Sequence, residues 1–417
     1  MELTQQELQR IKVIENAVFG RMTVAEASVV LNLSQRQVKR LKARWEAKTE
    51  KWVRHGNRGK RKPWAIPNAV RRRIVGLARG QYAGFNDSHL TEKLVEVKHI
   101  PISRESVRRI LRGAKMASPQ KRRAPRFRSR RERRPRRGAM LLGDASRDPW
   151  LEQRGPVLTL IGFQDDATGT VPGARFQLEH EDTLGYMRVL RATVEEHGIA
   201  LSLYRDQHST FQRNDRHWTL EEQLAGRQEP TQLGRVLEEL GMEQIRALSA
   251  QAKGRIERLW RTFQDRLKSE LRLAHACTLE EANAVLERFL PDYNRRFGVS
   301  PKEAASDFRP VGKKLNLDRV FSLRYQRKVG KDHVVVLGAK TLQLPPRPGR
   351  RSYAGEVVEL SHQLNGELHV WRGQEHIHQV HMPLDYTPGQ APPRPAARRR
   401  KPRIYVYAGR PALGVCG

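Results

Sequence analysis

Apolar residues recur every three or four positions through the first part of the chain, which is the spacing of amphipathic helices. From Leu3 to about Lys48 the period breaks at Gly20 and again near Asn32 and Ser34, so three helices joined by short turns are expected. Thr23 and Ser34 stand where caps are needed, because their hydroxyls can accept from amides that a first helical turn leaves open. A second helical set follows in PNAVRRRIVGLARG, NDSHLTEKLVEVKH and SRESVRRILRGAKM, with Ser103 capping the last.

The period changes at Met140. MLLGDAS, VLTLIGFQDDATG and VPGARFQL read as three strands in close succession, with a turn signal at Ala167 to Gly169. An amphipathic helix from Glu181 to Gly198 then places Leu184, Met187, Leu190 and Val194 on one face. ALSLYRD is a short strand ending on Asp206, and after a polar loop come the helix TQLGRVLEELGM and the strand EQIRALS. The long helix AQAKGRIERLWRTFQDRLKSELRLA carries Ile256, Leu259, Phe263 and Leu267 as its buried stripe. Three strands, helix, strand, helix, strand, helix is an α/β layer whose first three strands run antiparallel. Beyond the helix TLEEANAVLERFLPDYNRRFG the pattern alternates like strands, with a hairpin expected at Asn365 and Gly366 and a small β-barrel as the whole.

Charge narrows the partner. The 417 residues, enough for about three domains, hold 79 lysines and arginines against 45 acids, a net charge of +34 that calls for a polyanion. Nucleic acid outranks membrane, since no apolar run approaches the roughly 18 residues that span a bilayer. The amino-terminal MELTQQELQRIKVIENAV has mixed charge and reads as no secretory signal. With only Cys277 and Cys416, neither a disulfide framework nor a four-cysteine zinc site is possible, which suits a reducing cytoplasm. HIHQVH, from His376 to His381, reads as ordinary polar positions on a strand rather than a metal site.

The cations are also placed. On the third helix Val38, Leu41 and Trp45 share one face, while Arg36, Lys39, Arg40, Lys42 and Arg44 surround the rest, as in a helix-turn-helix whose last helix lies in the major groove. The second set exposes Arg108 and Arg109 in the same way. Between positions 117 and 138 eleven basic residues face the single acid Glu132, so this stretch is expected to be disordered when free and to dock along a nucleic-acid backbone. The expected domains are a helix-turn-helix over 1–50, a basic linker over 51–66, a second helix-turn-helix over 67–116, the basic linker 117–138, an α/β core over 139–300, the barrel over 311–387 and a basic proline-rich tail over 388–417.

Three carboxylates stand out by position. Asp144 lies in the first strand of the α/β layer, Asp206 ends the fourth, and Glu257 sits near the start of the long helix. In that topology they can converge on one sheet edge, where their mutual repulsion is relieved by a cation. Oxygen-only donors select hard ions such as Mg²⁺ or Mn²⁺. Two such ions, with Asp144 bridging both, suit attack on a phosphodiester. Alternatives remain at this level: Glu257 could simply pair with Lys253 four residues earlier, and Asp148, Asp165 and Asp166 compete, the last two as turn residues.

LLGDASRDPWLEQRGPVLTLIGFQDDATG, LYRDQHSTF, SAQAKGRIERLWRTFQDRL and NRRFGVSP together resemble a DDE transposase of the retroviral-integrase superfamily, of the ISNCY insertion-sequence kind. The resemblance implies an RNase H-like integrase core at 139–300 and catalytic acids at Asp144, Asp206 and Glu257. It further implies binding to terminal inverted repeats and target DNA, action as a homo-oligomer pairing two ends, and residence on a bacterial nucleoid. Lys253 and Arg255 are then candidate phosphate contacts. Ala145 departs from the glycine that usually follows the first acid. Two other readings are a non-enzymatic DNA-binding regulator and a nuclease without a joining step.

Overall fold

The structure is a computed structural model that describes residues 3–47, 52–53, 65–119, 131–206, 208–213, 218–247, 254–338, 340–346 and 352–384. Contacts divide the chain into Met1–Arg73 and Ile74–Gly417.

The first unit contains α1 (Gln5–Val18), α2 (Val24–Leu31) and α3 (Gln35–Glu46). Each begins with a reciprocal cap, Thr4 with Glu7, Thr23 with Glu26 and Ser34 with Gln37, which satisfies amide donors at both ends of the first turn. Asn32 ends α2 in the left-handed conformation and turns the chain toward α3. Val13, Ile14, Ala17, Ala27 and Val38 form the core. Arg36, Lys39, Arg40 and Arg44 all lie exposed on α3.

α4 (Asn68–Arg79), α5 (Asp87–Glu96) and α6 (Arg104–Gly113) follow. The α/β layer then holds β1 (Leu141–Asp148), β2 (Leu158–Asp165), β3 (Gly173–Leu178), α7 (Thr183–His197), β4 (Ser202–Arg205), α8 (Leu220–Ala225), α9 (Gln232–Glu239), β5 (Glu243–Arg246), α10 (Gly254–Leu273) and α11 (Leu279–Phe297). The strand order is β3-β2-β1-β4-β5, with β1, β2 and β3 antiparallel and β4 and β5 parallel to β1.

Alternation along the strands divides the core between the two faces. Leu142, Leu158, Leu160, Phe176 and Tyr204 pack with Trp260, Phe263 and Leu267 of α10 and with α11. Leu141, Ile161, Phe163 and Leu203 pack with α7 and α9. The six-residue α8 arises in what reads as a polar loop. Its Thr219 and Glu222 make a capping box, but Leu220 and Leu224 stay exposed, so it has no buried stripe to announce it.

Acid–base pairs fasten α5 to α10 and α11. Glu92 takes both Arg266 nitrogens at 2.6 and 2.9 Å, Glu270 takes Lys93 at 2.8 Å and His89 at 2.7 Å, and Glu96 takes Arg296 at 2.6 Å. Of the basic stretch 117–138, residues 117–119 and 131–138 are described, and the latter lie on the α/β layer, where Arg136 pairs with Glu303 and Asp307.

The carboxy-terminal part comprises α12 (Leu317–Val320), β6 (Ser322–Lys328), β7 (Val334–Leu337), β8 (Lys340–Gln343), β9 (Val357–Gln363), β10 (Glu367–Arg372) and β11 (Glu375–His381). The expected hairpin is present, Gly366 supplying a φ of 85° between β9 and β10. The expected barrel is, among the described residues, an open sheet β11-β10-β9-β6 packed over the β7–β8 hairpin, with Val335, Leu342, Val358, Leu360, Leu368 and Val370 between them. Alternation fixes which face of a strand is buried and leaves closure of the ladder undetermined.

Candidate active site

Asp144 lies in β1, and Asp206 directly follows β4, the strand beside it in the sheet. β1 and β4 pair in parallel with Leu141 beside Leu203 and Leu142 beside Tyr204. Asp144 lies two residues beyond the last of these pairs on β1 and Asp206 two residues beyond it on the other strand, directly after β4 ends at Arg205. Alternation puts both on the side of Leu142 and Tyr204, which is the α10 face.

Trp260 of α10 reaches back to the first of these acids, its indole Nε1 donating to Asp144 Oδ2 at 2.9 Å. The ring has room because Gly162 stands opposite Asp144 on β2. A Cβ there would lie 3.1 Å from Trp260 Cη2 and 3.2 Å from Ala174 Cβ. Glu257 is exposed in the first turn of α10, three residues before Trp260 and hence on a neighbouring part of the same helical surface. Lys253 lies outside the described residues.

Tyr186 of α7 is buried on the opposite face of the sheet. Its hydroxyl donates to Glu181 Oε2 at 2.5 Å, and burial, the Glu181 charge and hydrogen bond, and then the charges of Asp144 and Asp206 push it well above the usual tyrosine range. Both aspartates are therefore within electrostatic reach of one hydroxyl. A cavity of about 370 Å³ is lined by Ala145, the residue after Asp144, with Arg147, Thr159, His180, Glu181 and His208. Glu181, Tyr186 and the Trp260 donor are absent from the sequence-derived site. Tyr186 and Trp260 sit among apolar helix positions, where core packing explains an aromatic equally well.

The competing acids have structural partners. Asp148 pairs with Lys268. Asp165 accepts from the Gly138 and Thr168 amides, each at 2.8 Å, and from the Thr168 hydroxyl at 2.7 Å, as a turn residue does. Asp166 does more than turn the chain. It is fully buried and receives Arg131 Nη2 at 2.5 Å, the Arg134 amide at 2.8 Å and the Arg255 guanidinium. Burial alone would raise its carboxyl, but these donors outweigh burial and hold it below its usual range. Arg255 thus spends its guanidinium on Asp166 and on the Arg131 carbonyl, which ties the first turn of α10 to the end of the basic stretch.

As a donor set, Asp144, Asp206 and Glu257 offer oxygen alone, which fits a hard divalent ion. Among the described residues no three histidine, cysteine, aspartate or glutamate side chains are gathered closely enough to hold a metal ion, and Glu257 is exposed.

Comparison with known proteins bears on what this edge belongs to. No family model matches the chain. A protein named as a transposase, y4bF of Sinorhizobium fredii, is 35% identical over 375 residues, covering 89% of this chain and 80% of its own length. The chain belongs to the transposase family. The transposase for insertion sequence IS1202 of Streptococcus pneumoniae is 28% identical over 93% of both chains. Among solved structures, the transposase is also similar to the catalytic core domain of HTLV-2 integrase in complex with magnesium, at 13% identity and a TM-score of 0.30 over 42% of this chain and 98% of that one. A simian T-cell lymphotropic virus intasome gives 13% identity and a TM-score of 0.31 over 74% of this chain and 96% of that one. The family assignment rests on the curated relatives.

On the outer surfaces of the transposase, Arg108 and Arg109 of α6 are exposed, with Arg108 3.3 Å and Arg109 4.0 Å from Glu105. No helix among the described residues is long and apolar enough to cross a membrane.

Proposed function

We propose that this transposase binds the ends of its element, cleaves a strand at each end, and joins the freed 3′-hydroxyl to target DNA. The observation that supports the reading is the pairing of β1 with β4, whose last partners, Leu142 and Tyr204, each lie two residues before Asp144 and Asp206, with the Trp260 donor on Asp144.

In the first step a water oxygen bonds to phosphorus, the bond from phosphorus to the 3′-oxygen breaks, and that oxygen leaves as a hydroxyl. In the second, the 3′-oxygen bonds to a target phosphorus and displaces the target's own 3′-oxygen. When bound, divalent ions of the magnesium kind supply a water that ionises near neutral pH and stabilise charge on the phosphate oxygens. Asp144, Asp206 and Glu257 are the residues that would hold them, with the Trp260 donor orienting the carboxylate of Asp144. The exposed Glu257 would complete this oxygen donor set with DNA bound.

The α1–α3 unit serves as a helix-turn-helix reader, with Arg36, Lys39, Arg40 and Arg44 on phosphate and base edges. Arg108 and Arg109 add phosphate contacts from α6, and Lys253 contacts the strand near Glu257. The bond from Arg255 to Asp166 supports an anchoring role for that arginine. Two or more copies pair the element ends on the bacterial nucleoid.

The test uses a labelled element end. Wild type should nick it in magnesium, and Glu257→Gln should bind it equally well but fail to nick it. Given an end already cut, with its 3′-hydroxyl exposed, wild type should join it to a second duplex. Cleavage by Glu257→Gln at the wild-type rate would remove the catalytic assignment, and cleavage without joining would leave a nuclease.

A further inference from the structure

The parallel strands β4 and β5 end with Arg205 directly beside Arg246. Like charges on facing strand positions destabilise a sheet. Arg205 is only 3% exposed, and its hydrogen bonds go to neutral oxygens, from Nε to Gln244 Oε1 at 3.0 Å and from Nη1 to the Asp206 carbonyl at 2.9 Å. Among the described residues neither arginine has a carboxylate within ion-pair distance. A buried cation beside a second cation is costly to keep unless an anion completes it.

Space for that anion is present. A cavity of about 430 Å³ opens on the α9 face, bounded by Arg205, Arg246, Arg227, Phe211 and Trp218. Arg213 at its wall is paired with Glu222, and the acids Glu229 and Glu238 lie exposed on the rim. The volume is in the roughly 300–1,000 Å³ class of small-molecule pockets, which admits one nucleotide and excludes a duplex. Trp218 is 39% exposed, so its ring is accessible for stacking. Cations with an accessible aromatic face are how proteins hold single-stranded nucleic acid. Because Asp206 follows Arg205 directly, this cavity borders the proposed catalytic edge from the opposite face of the sheet.

We propose that Arg205, Arg246 and Trp218 hold one unpaired nucleotide of the DNA end, the arginine pair taking its phosphate and the indole its base. This rests on the reading of the chain as a transposase that acts on DNA ends. It assigns the pocket to the strand that must leave the duplex for a phosphate to reach Asp206.

The full chain in EDTA, where no chemistry occurs, is tested for binding to two forms of one element end, fully paired or with two terminal nucleotides unpaired. Wild type should prefer the unpaired form by about tenfold, the scale of one stacked base. Trp218→Ala and Arg246→Ala should each abolish the preference and leave affinity for the paired form unchanged, and Arg246→Lys should restore part of it. Arg246→Ala should also keep or raise the melting temperature, because it relieves repulsion, whereas a merely structural arginine would lower it on removal. The proposal is overturned if wild type shows no preference, if Arg246→Ala retains it, or if Arg246→Ala melts lower than wild type. Since Glu257→Gln should keep the preference while losing cleavage, failure of this pocket and failure of the catalytic reading give different results.

Discussion

At the scale of single residues, the bond from Trp260 to Asp144 carries the sharpest consequence. Trp260→Phe keeps the ring over Gly162 and deletes the donor, so it should cost about 1 kcal/mol of stability. It should also raise the magnesium concentration for half-maximal cleavage about tenfold, the usual scale for a group that orients a metal ligand. Cleavage assayed across magnesium concentrations checks this, and an unchanged requirement would show that the bond does not orient Asp144. The proposed acids were singled out in the sequence by their places in β1, after β4 and at the start of α10, and by the resemblance to DDE transposases. Their neighbours were not. Asp166 sits in a turn signal, and turn chemistry is local, whereas the arginines that bury it come from 35 and 89 residues away. Glu257 and Lys253 have the spacing of a surface pair, and spacing cannot distinguish that from a ligand waiting for its ion.

At the scale of elements, the helical set before the α/β layer is fastened to α10, the helix that carries Glu257. Burial would raise the Glu270 carboxyl, but hydrogen bonds and charges from His89 and Lys93 outweigh it and depress the folded value below the ordinary 4.5. The stabilisation from this group is therefore complete above about pH 4.5 and is lost as pH falls through the folded value. Glu270→Gln should melt below wild type at pH 7, and the gap should close under acid conditions, where wild type carries a neutral group too. A gap independent of pH would mean that the carboxylate charge does not hold α5 to α10. Helical periodicity gave these helices and their buried faces. It could not give the clamp, because the partners of Glu92, Glu96 and Glu270 lie on helices remote in sequence. For the same reason a run of arginines read as a free linker, although from Arg131 onward its charges meet Asp166, Glu303 and Asp307. Strand alternation likewise predicted the carboxy-terminal strands but left open whether they close into a barrel.

Across the whole molecule, a net charge of +34 pointed to a polyanion, and family membership gives it a definite kind of work. The basic α3 and the sheet edge of Asp144 and Asp206 belong to different units of the chain, so DNA binding and chemistry should be separable by mutation. The central claim is that three acids distant in sequence share divalent ions once a DNA end is bound. Mn²⁺ bound to the full chain can be counted by electron paramagnetic resonance with a pre-cut element end present, for wild type and for Asp144→Asn, Asp206→Asn and Glu257→Gln. Tight Mn²⁺ binding by wild type, weakened in each of the three variants while all still bind the DNA, is the predicted result. Binding by Glu257→Gln as tight as that of wild type would contradict it.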